Sequence, residues 1–159
     1  MNRTRILIAV AIIVAITALV LGVDLWRRSQ AVELVPGSVP IYVGERLIGA
    51  FVPQDLEGLE KAGFVDAKEG KAQEGWLVRD VLLLHIQADK LRPDSTITIT
   101  SSSRDKSAQV TWEQANDPGN NVLFDLSNRG TVKLVSTMEG LDTRDTWVQD
   151  VTQIEVELQ

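Results

Sequence analysis

The sequence contains no cysteine and only one histidine, His85. Without thiols the chain cannot form disulfides, thiolate metal sites or a cysteine nucleophile. A single histidine cannot supply a multi-histidine metal site or the usual catalytic triad. The lack of cysteine does not decide the cellular compartment, because many exported domains also lack disulfides. These absences remove the commonest reaction centres before any motif is considered.

A basic stripe interleaved with aromatic side chains is also missing. The chain carries a formal net charge of −6. Residues 1–30 hold four arginines and one aspartate, a net of +3, which leaves −9 for residues 31–159. A domain with this charge repels phosphate backbones, so we expect no nucleic-acid partner. No internal repeat or low-complexity tract interrupts this otherwise ordinary globular composition.

The sequence does contain one long apolar run, from Ile6 to Val23. A helix of about 18 residues is roughly 27 Å long, close to the thickness of a hydrocarbon core. Trp26 and the pair Arg27–Arg28 follow, a pattern typical of the membrane interface. We therefore predict a single-pass membrane anchor in residues 1–30, which contacts the lipid bilayer through residues 6–26.

Two other interpretations of this segment are open, a cleaved signal peptide and a buried core helix. A signal peptide normally has a shorter apolar region and a small-x-small cleavage site.

The short tail with Arg3 and Arg5 favours a cytoplasmic N-terminus, which places the acidic domain outside the cytoplasm. Small residues four apart predict packing against other membrane helices. These residues are Ala11, Ala15, Ala18 and Gly22.

The remaining chain is predicted to form a linker, residues 31–38, and a globular domain, residues 39–159. Residues Ile41–Val43 and Arg46–Phe51 flank Gly44-Glu45 and predict a hairpin. Alternating apolar residues predict three further strands. They lie within residues 94–103, 131–137 and 151–158.

Helical periodicity is found in two places. Residues Pro53–Gly63 predict a short helix, and residues Gly75–Ala88 give the strongest helix signal, with an apolar face. The polar stretch 66–75 is predicted to be an exposed loop. Residues 108–117 and 121–130 fit either a strand or a short helix. Because helices and strands do not alternate regularly, the predicted fold class is α+β.

Several cations and one tryptophan are candidates for an interaction or ligand surface. The Ser-rich turn Thr100–Ser107 can bind an anion through its hydroxyls with Arg104 and Lys106, or can be a solvated hairpin loop. Arg129, Arg144 and Trp147 lie in polar turns and complete the candidate surface. Trp147 fits either the core or a binding surface.

Other titratable residues give weaker signals. His85 fits a general base or ligand, but a boundary histidine at a helix end is the simpler interpretation. Acid pairs such as Asp142/Asp145 and Asp80/Asp89 are expected by chance among 21 acids. No calcium-loop pattern is present. We therefore predict no catalytic, cofactor-binding or metal-binding residue.

Two motifs resemble those of the small molybdopterin-binding domains related to sulfite oxidase. One is GWLVRDVLL, which matches the family's helix motif, and the other is WVQDVTQIEV, which matches its closing strand. The matching residues are Gly75, Leu77, Asp80, Val81 and Leu82 in the first, and Trp147, Val148, Val151, Ile154, Glu155 and Val156 in the second. The resemblance covers roughly residues 39–158 and implies a mixed-sheet fold of that family.

The chain departs from this family where the chemistry takes place. The resemblance implies a molybdenum-ligating cysteine and a pterin-phosphate clamp with a proline, but the chain has no cysteine. The corresponding stretch, MEGLDTRDT, offers only Arg144. No cofactor ligand carries over, so we expect the fold to be retained and the catalysis to be lost.

Three hypotheses for the function follow. The first is a membrane-anchored, non-catalytic accessory or docking subunit of a membrane protein complex, with electron transfer or energy conversion as the expected setting. The second is a molybdopterin-dependent oxidoreductase with an atypical, cysteine-free site. The third is an extracytoplasmic sensor that binds a small molecule near Trp147 and the Thr100–Ser107 turn.

Overall fold

A computed structural model describes residues 12–22 and 34–159 of the chain. The chain divides into two units, Met1–Glu33 and Leu34–Gln159, and each is described by itself. In the first unit, residues 12–22 are helical (α1), and Thr17 Oγ1 donates to the carbonyl of Ile13 at 2.9 Å. Among the described residues, no helix is long and apolar enough to cross a membrane.

The predicted anchor extends beyond this described helix. Residues 6–11 and 23–26 of the bilayer-contacting segment lie outside the described residues, as does Ala11 of the predicted packing motif. Ala15 and Ala18 are exposed on α1. A Cβ added to Gly22 would meet no atom within 4 Å.

The second unit is built on two sheets. Its strands are β1 (Val39–Val43), β2 (Arg46–Phe51), β3 (Lys61–Val65), β4 (Ala72–Leu77), β5 (Thr96–Ser101), β6 (Lys106–Thr111), β7 (Leu123–Leu126), β8 (Val132–Val135) and β9 (Gln153–Glu157). The five-stranded sheet has the order β2-β1-β9-β5-β6, and the four-stranded sheet has the order β3-β4-β7-β8.

Two short α-helices and four 3-10 helices connect these strands. The α-helices are α2 (Val78–Leu83) and α3 (Trp112–Asn116). The 3-10 helices are Pro53–Leu56, Ala88–Lys90, Ser102–Arg104 and Pro118–Asn120. The predicted α+β class is confirmed. The five-stranded sheet is mixed, because β1 pairs parallel to β9, and the four-stranded sheet is antiparallel.

Alternating burial explains the five-stranded sheet. Ile97 and Ile99 of β5 are fully buried, while the threonines between them are half-buried, so one face of the strand turns to the core. In β9, Ile154 and Val156 are buried in the same way. The predicted β1–β2 hairpin is confirmed, with Gly44 in the left-handed region at φ 55°.

The four-stranded sheet depends on a close contact between two strands at Gly75. A Cβ at Gly75 would lie 2.1 Å from the carbonyl oxygen of Phe124 on β7, so only glycine fits at this position. The side chain of Phe124 packs into the single core that both sheets share, with its ring 5.8 Å from that of Phe51 on β2.

The predicted helix over residues Pro53–Gly63 is wrong in its length and type. Only Pro53–Leu56 is helical, as a 3-10 turn in which the Asp55 carboxylate accepts from the backbone N–H of Val52 at 2.9 Å. Residues Lys61–Val65 form β3 instead, because they pair antiparallel with residues 72–76 of β4. Tertiary pairing therefore overrides the local helical pattern.

The predicted helix over residues Gly75–Ala88 is also too long. Gly75, Trp76 and Leu77 belong to β4, where they pair with β7, and α2 ends at Leu83. Leu84, which a helix over this whole run would place on its apolar face, is 52% exposed. The beginning of β4 also replaces the end of the predicted exposed loop 66–75. A continuous apolar run that crosses a strand–helix junction cannot be divided by periodicity alone.

Both ambiguous segments are resolved by local capping and pairing. In residues 108–117, β6 ends where α3 begins, and Thr111 caps that helix. Its Oγ1 accepts from the N–H of Gln114 at 3.2 Å, and the Gln114 side chain accepts from the N–H of Thr111 at 2.8 Å. Residues 121–130 contain strand β7 and the turn before β8.

Candidate functional site

Trp147 lies in the core, with 2% of its surface exposed. Its indole N–H donates to the carbonyls of Leu141 at 3.0 Å and Ser136 at 3.3 Å. Phe64 contacts the indole edge-to-face, with ring centroids 6.3 Å apart. Of the two interpretations of this tryptophan, the structure supports core packing. The contacts fix the turn that carries Arg144 and Asp145.

A cation lies over the same indole. The ammonium of Lys133 is 6.0 Å from the ring centroid of Trp147 and 2.9 Å from the carboxylate of Asp125. It also donates to Gln73 Oε1 at 2.8 Å. The side chains of Lys133 and Asp125 are 16% and 13% exposed, so this is a largely desolvated ion pair. Sequence reasoning missed it, although Asp125 and Lys133 are cross-strand partners on β7 and β8.

Asp150 joins two of the predicted cations. Arg129 Nη2 donates to both of its carboxylate oxygens, at 2.8 and 2.7 Å, and Arg104 Nε donates to one of them at 2.8 Å. The hydroxyl of Thr131 donates to the same carboxylate at 2.6 Å. The Thr131 and Arg104 hydrogen bonds and the two nearby guanidinium charges hold the pKa of Asp150 below its ordinary value.

Arg144, the third predicted arginine, is held by a different acid. Its guanidinium donates to Glu69 at 2.7 Å, and Lys71 donates to the same carboxylate at 2.9 Å. The hydrogen bonds from Lys71 and Arg144 lower the pKa of Glu69. The pairs around Asp150 and Glu69 restrict the arginine side chains, so binding a ligand would cost them less conformational entropy.

Four of the five predicted surface residues line one open recess of about 490 Å³. We call it the basic recess, and its lining consists of Arg104, Lys106, Arg144, Asp145, Trp147 and Gln149. Arg129, the fifth, is connected to the recess through Asp150, which it shares with Arg104. The cations come from the turn after β5, the start of β6 and the turn before β9, regions that only the tertiary fold brings together.

Lys106 differs from the other cations of the basic recess. Its ammonium donates to the backbone carbonyl of Asp145. Within residues 34–159 no carboxylate lies within the 4.0 Å of an ion pair with Lys106, whereas Arg104 and Arg144 each have one. A carbonyl does not neutralise an ammonium, so Lys106 gives the recess a cation without an ion-pair partner, and the three cations of the lining outnumber its one acid, Asp145. Such a site attracts carboxylates and phosphates.

The other titratable candidates lie elsewhere. His85 is partly buried, its ring lies against Gly49, and its Nε2 has no hydrogen-bond partner among the described residues. Burial lowers the pKa of His85, and the charge of Asp55 opposes this shift. His85 does not line the basic recess.

The acid pairs weighed from the sequence are not assembled into a metal site. Asp80 accepts from Arg79 at 3.3 Å, and Asp89 lies 4.0 Å from Lys90. In the part of the chain that the structure describes, no group of three histidine, cysteine or acidic side chains is placed to hold a metal ion. The arrangement of the recess favours binding an anion.

No protein-family model matches the sequence, and no curated protein matches it with significant similarity.

Proposed function

We propose that this chain is a membrane-anchored, non-catalytic accessory or docking subunit of a membrane protein complex. One observation carries the proposal. The cations Arg104, Lys106 and Arg144 converge on one recess of a domain whose formal charge is −9. A local positive site on an acidic surface orients a partner with complementary charge and repels partners without it.

The anchor is part of the proposal. The apolar run Ile6–Val23 supports attachment to a membrane, and the arginines before it support a domain outside the cytoplasm. Attachment to a membrane confines the domain close to membrane partners. It thereby raises their effective concentration and allows a modest recess to be sufficient for docking.

We also propose the finer fold, that of the small sulfite-oxidase-like molybdopterin-binding domains. Residues of both motifs occupy positions that packing dictates. Gly75 allows β4 to approach β7, and Trp147, Val148, Ile154 and Val156 are buried. This supports a shared architecture, because a fold is retained through its packing positions more readily than through its chemistry.

The donor set of the recess does not fit molybdenum. Cysteine is absent from the sequence, so no thiolate can bind the metal. The protonated side chains of Arg104, Lys106 and Arg144 are hydrogen-bond donors without a lone pair to bind a metal ion, although they attract anions. We therefore derive no redox step and propose a role in binding.

The test is to extract the full chain from its own membranes in mild detergent and to measure the native mass and composition of the particle. A stoichiometric complex with other membrane proteins is expected. Recovery of the chain as a monomer would contradict the docking function.

A charge variant sharpens this test. The double variant Lys106→Gln/Arg144→Gln should reduce the recovered partner at least about tenfold, because it removes the unpaired cation and one arginine from the recess. The matched control is Lys90→Gln/Arg92→Gln, which removes two exposed cations that do not line the recess. Equal losses in both variants would show that the recess has no special role.

A second candidate function is the binding of a small anionic molecule by an extracytoplasmic sensor. It is favoured by the position of the recess, which includes Arg104, Lys106 and Trp147 as this hypothesis expects. A sensor predicts a monomer that binds inorganic phosphate or succinate, measurable by titration calorimetry. Lys106→Gln should weaken such binding, and the absence of any heat would contradict this candidate.

A further inference from the structure

Strand β6 is an edge strand of the five-stranded sheet, where it pairs only with β5. An edge strand has backbone groups on its free side that can pair with another chain. The register identifies them. The N–H of Trp112 donates to the carbonyl of Ser95, so Ser95 and Trp112 form a hydrogen-bonded pair. Two residues further along, in β5, Ile97 faces Val110 in the same register. In an antiparallel ladder hydrogen-bonded pairs alternate with non-bonded pairs.

The alternation places the backbone groups of Ser107 and Gln109 on the free side of β6. Their partners in register, Thr100 and Thr98, are the non-bonded pairs of the ladder. Thr111 also faces outward, but its N–H already donates to the side chain of Gln114. Among residues 34–159 the backbone N–H groups of Ser107 and Gln109 have no partner outside the ladder.

A groove runs along this free edge. It has a volume of about 530 Å³ and lies between residues 106–109 of β6 and residues 138–141 of the following loop. Lys106 and Asp145 line both this groove and the basic recess, so the two are continuous. The combined surface has a strand edge along its length and cations at the end where β6 begins.

We infer that this groove binds an extended acidic peptide segment of the partner protein, which adds as an antiparallel strand to β6 and places its carboxylates in the basic recess. The inference rests on the proposed docking function and names the kind of partner. An added strand gains backbone hydrogen bonds from Ser107 and Gln109, and the recess supplies selectivity for acidic side chains. The antiparallel direction places the carboxyl end of the peptide beside Lys106, because β6 begins there.

A second copy of this chain is the main competing occupant. Two copies would bring together domains of net charge −9, which repel each other. The loop carrying Met138 and Leu141 also borders the groove opposite β6. A single extended segment needs less room beside this loop than the edge of a second folded sheet does.

The test uses the full chain in detergent and a fluorescent hexapeptide of alternating threonine and valine that ends in two aspartates. Fluorescence anisotropy should show saturable binding. The same peptide ending in two lysines should bind at least about tenfold more weakly, because the recess is cationic. Equal affinity for both peptides would overturn the inference.

Variants of Gln109 distinguish the contribution of its backbone N–H to peptide binding from that of its side chain. Gln109→Pro removes the outward N–H while keeping the ladder to β5, and should weaken peptide binding about tenfold. Gln109→Thr keeps the N–H and should bind as the native chain does. Equal binding by both variants would overturn the inference.

The native-mass experiment distinguishes the two proposals. A membrane complex that survives Gln109→Pro undiminished would overturn the β6 site but would leave the docking function standing. A homodimer that Gln109→Pro dissociates would assign the groove to a second copy of the chain, and would overturn the inferred partner.

Discussion

The turn between β8 and β9 supports two groups of charges that differ in their environment. On its core side Lys133 pairs with Asp125 over the Trp147 indole, and both charges are largely buried. On its outer side the Asp150 side chain is 16% exposed, but the arginines that it holds, Arg104 and Arg129, are 47% and 59% exposed. A desolvated pair is costly to break, whereas an exposed pair contributes little to folding but remains available to a ligand. Stability and binding are therefore assigned to opposite sides of one segment.

The largest expected effect comes from removing the buried indole of Trp147. Trp147→Ala should lower the free energy of unfolding by about 3–5 kcal/mol, because it leaves a cavity and removes the donor to two carbonyls. Urea denaturation of the full chain in detergent measures it. Trp147→Phe keeps an aromatic ring and should cost about 1–3 kcal/mol. Equal losses would contradict the role of the indole's bulk.

A smaller loss is expected when the buried pair is broken. Lys133→Met leaves the Asp125 carboxylate without its cation, and should lower the free energy of unfolding by about 2–4 kcal/mol. Adding Asp125→Leu to this variant removes the orphaned charge and should recover most of the loss. The comparison is a double-mutant cycle by urea denaturation. A double variant no more stable than Lys133→Met would indicate that the two charges are not coupled.

The smallest effect is expected on the exposed side. Asp150→Asn should lower the free energy of unfolding by about 1 kcal/mol or less at pH 7, because the arginines are half exposed. Asparagine tolerates the left-handed conformation of this residue, at φ 53°. Thermal unfolding of both chains at matched ionic strength measures the difference. A loss as large as that of Lys133→Met would contradict the distinction between the two sides.

The pH dependence of folding stability in the same variant tests the direction of the Asp150 contribution. The pKa of Asp150 is lowered in the folded state, so its stabilisation is present above the ordinary aspartate pKa and is lost as pH falls through the folded value. Below about pH 4 the native chain should lose stability faster than Asp150→Asn does. Glu69, with a lowered pKa of its own, leaves part of the acid sensitivity in both chains.

The sequence predicted those elements that depend on local pattern. Alternation was sufficient for β5, β8 and β9, and Gly44 was sufficient for the β1–β2 hairpin. The local pattern was insufficient over Gly75–Ala88, where one apolar run contains the last three residues of β4 and then the residues of α2. Only the pairing of β4 with β7 decides where the strand ends, and that pairing joins residues about fifty positions apart.

The candidate site divides in the same way. Its cations could be named from the sequence because Arg104 and Arg129 lie in polar turns and Lys106 begins the strand that follows one. The carboxylates that pair with these cations could not be named from the sequence. Asp150 and Glu69 resemble any other exposed carboxylate until folding brings the arginines to them. The sequence leaves Trp147 open as a core or a surface residue, because a polar turn does not reveal what packs beneath it.

The single carboxylate of Asp150 also has a mechanical consequence. Arg104 belongs to the turn between β5 and β6 of one sheet, and Arg129 to the turn between β7 and β8 of the other. Both turns are attached to the same carboxylate oxygen, Oδ2 of Asp150. The Asp150 carboxylate therefore links a turn of one sheet to a turn of the other. Neutralising this carboxylate removes the ion pairs of both turns at once.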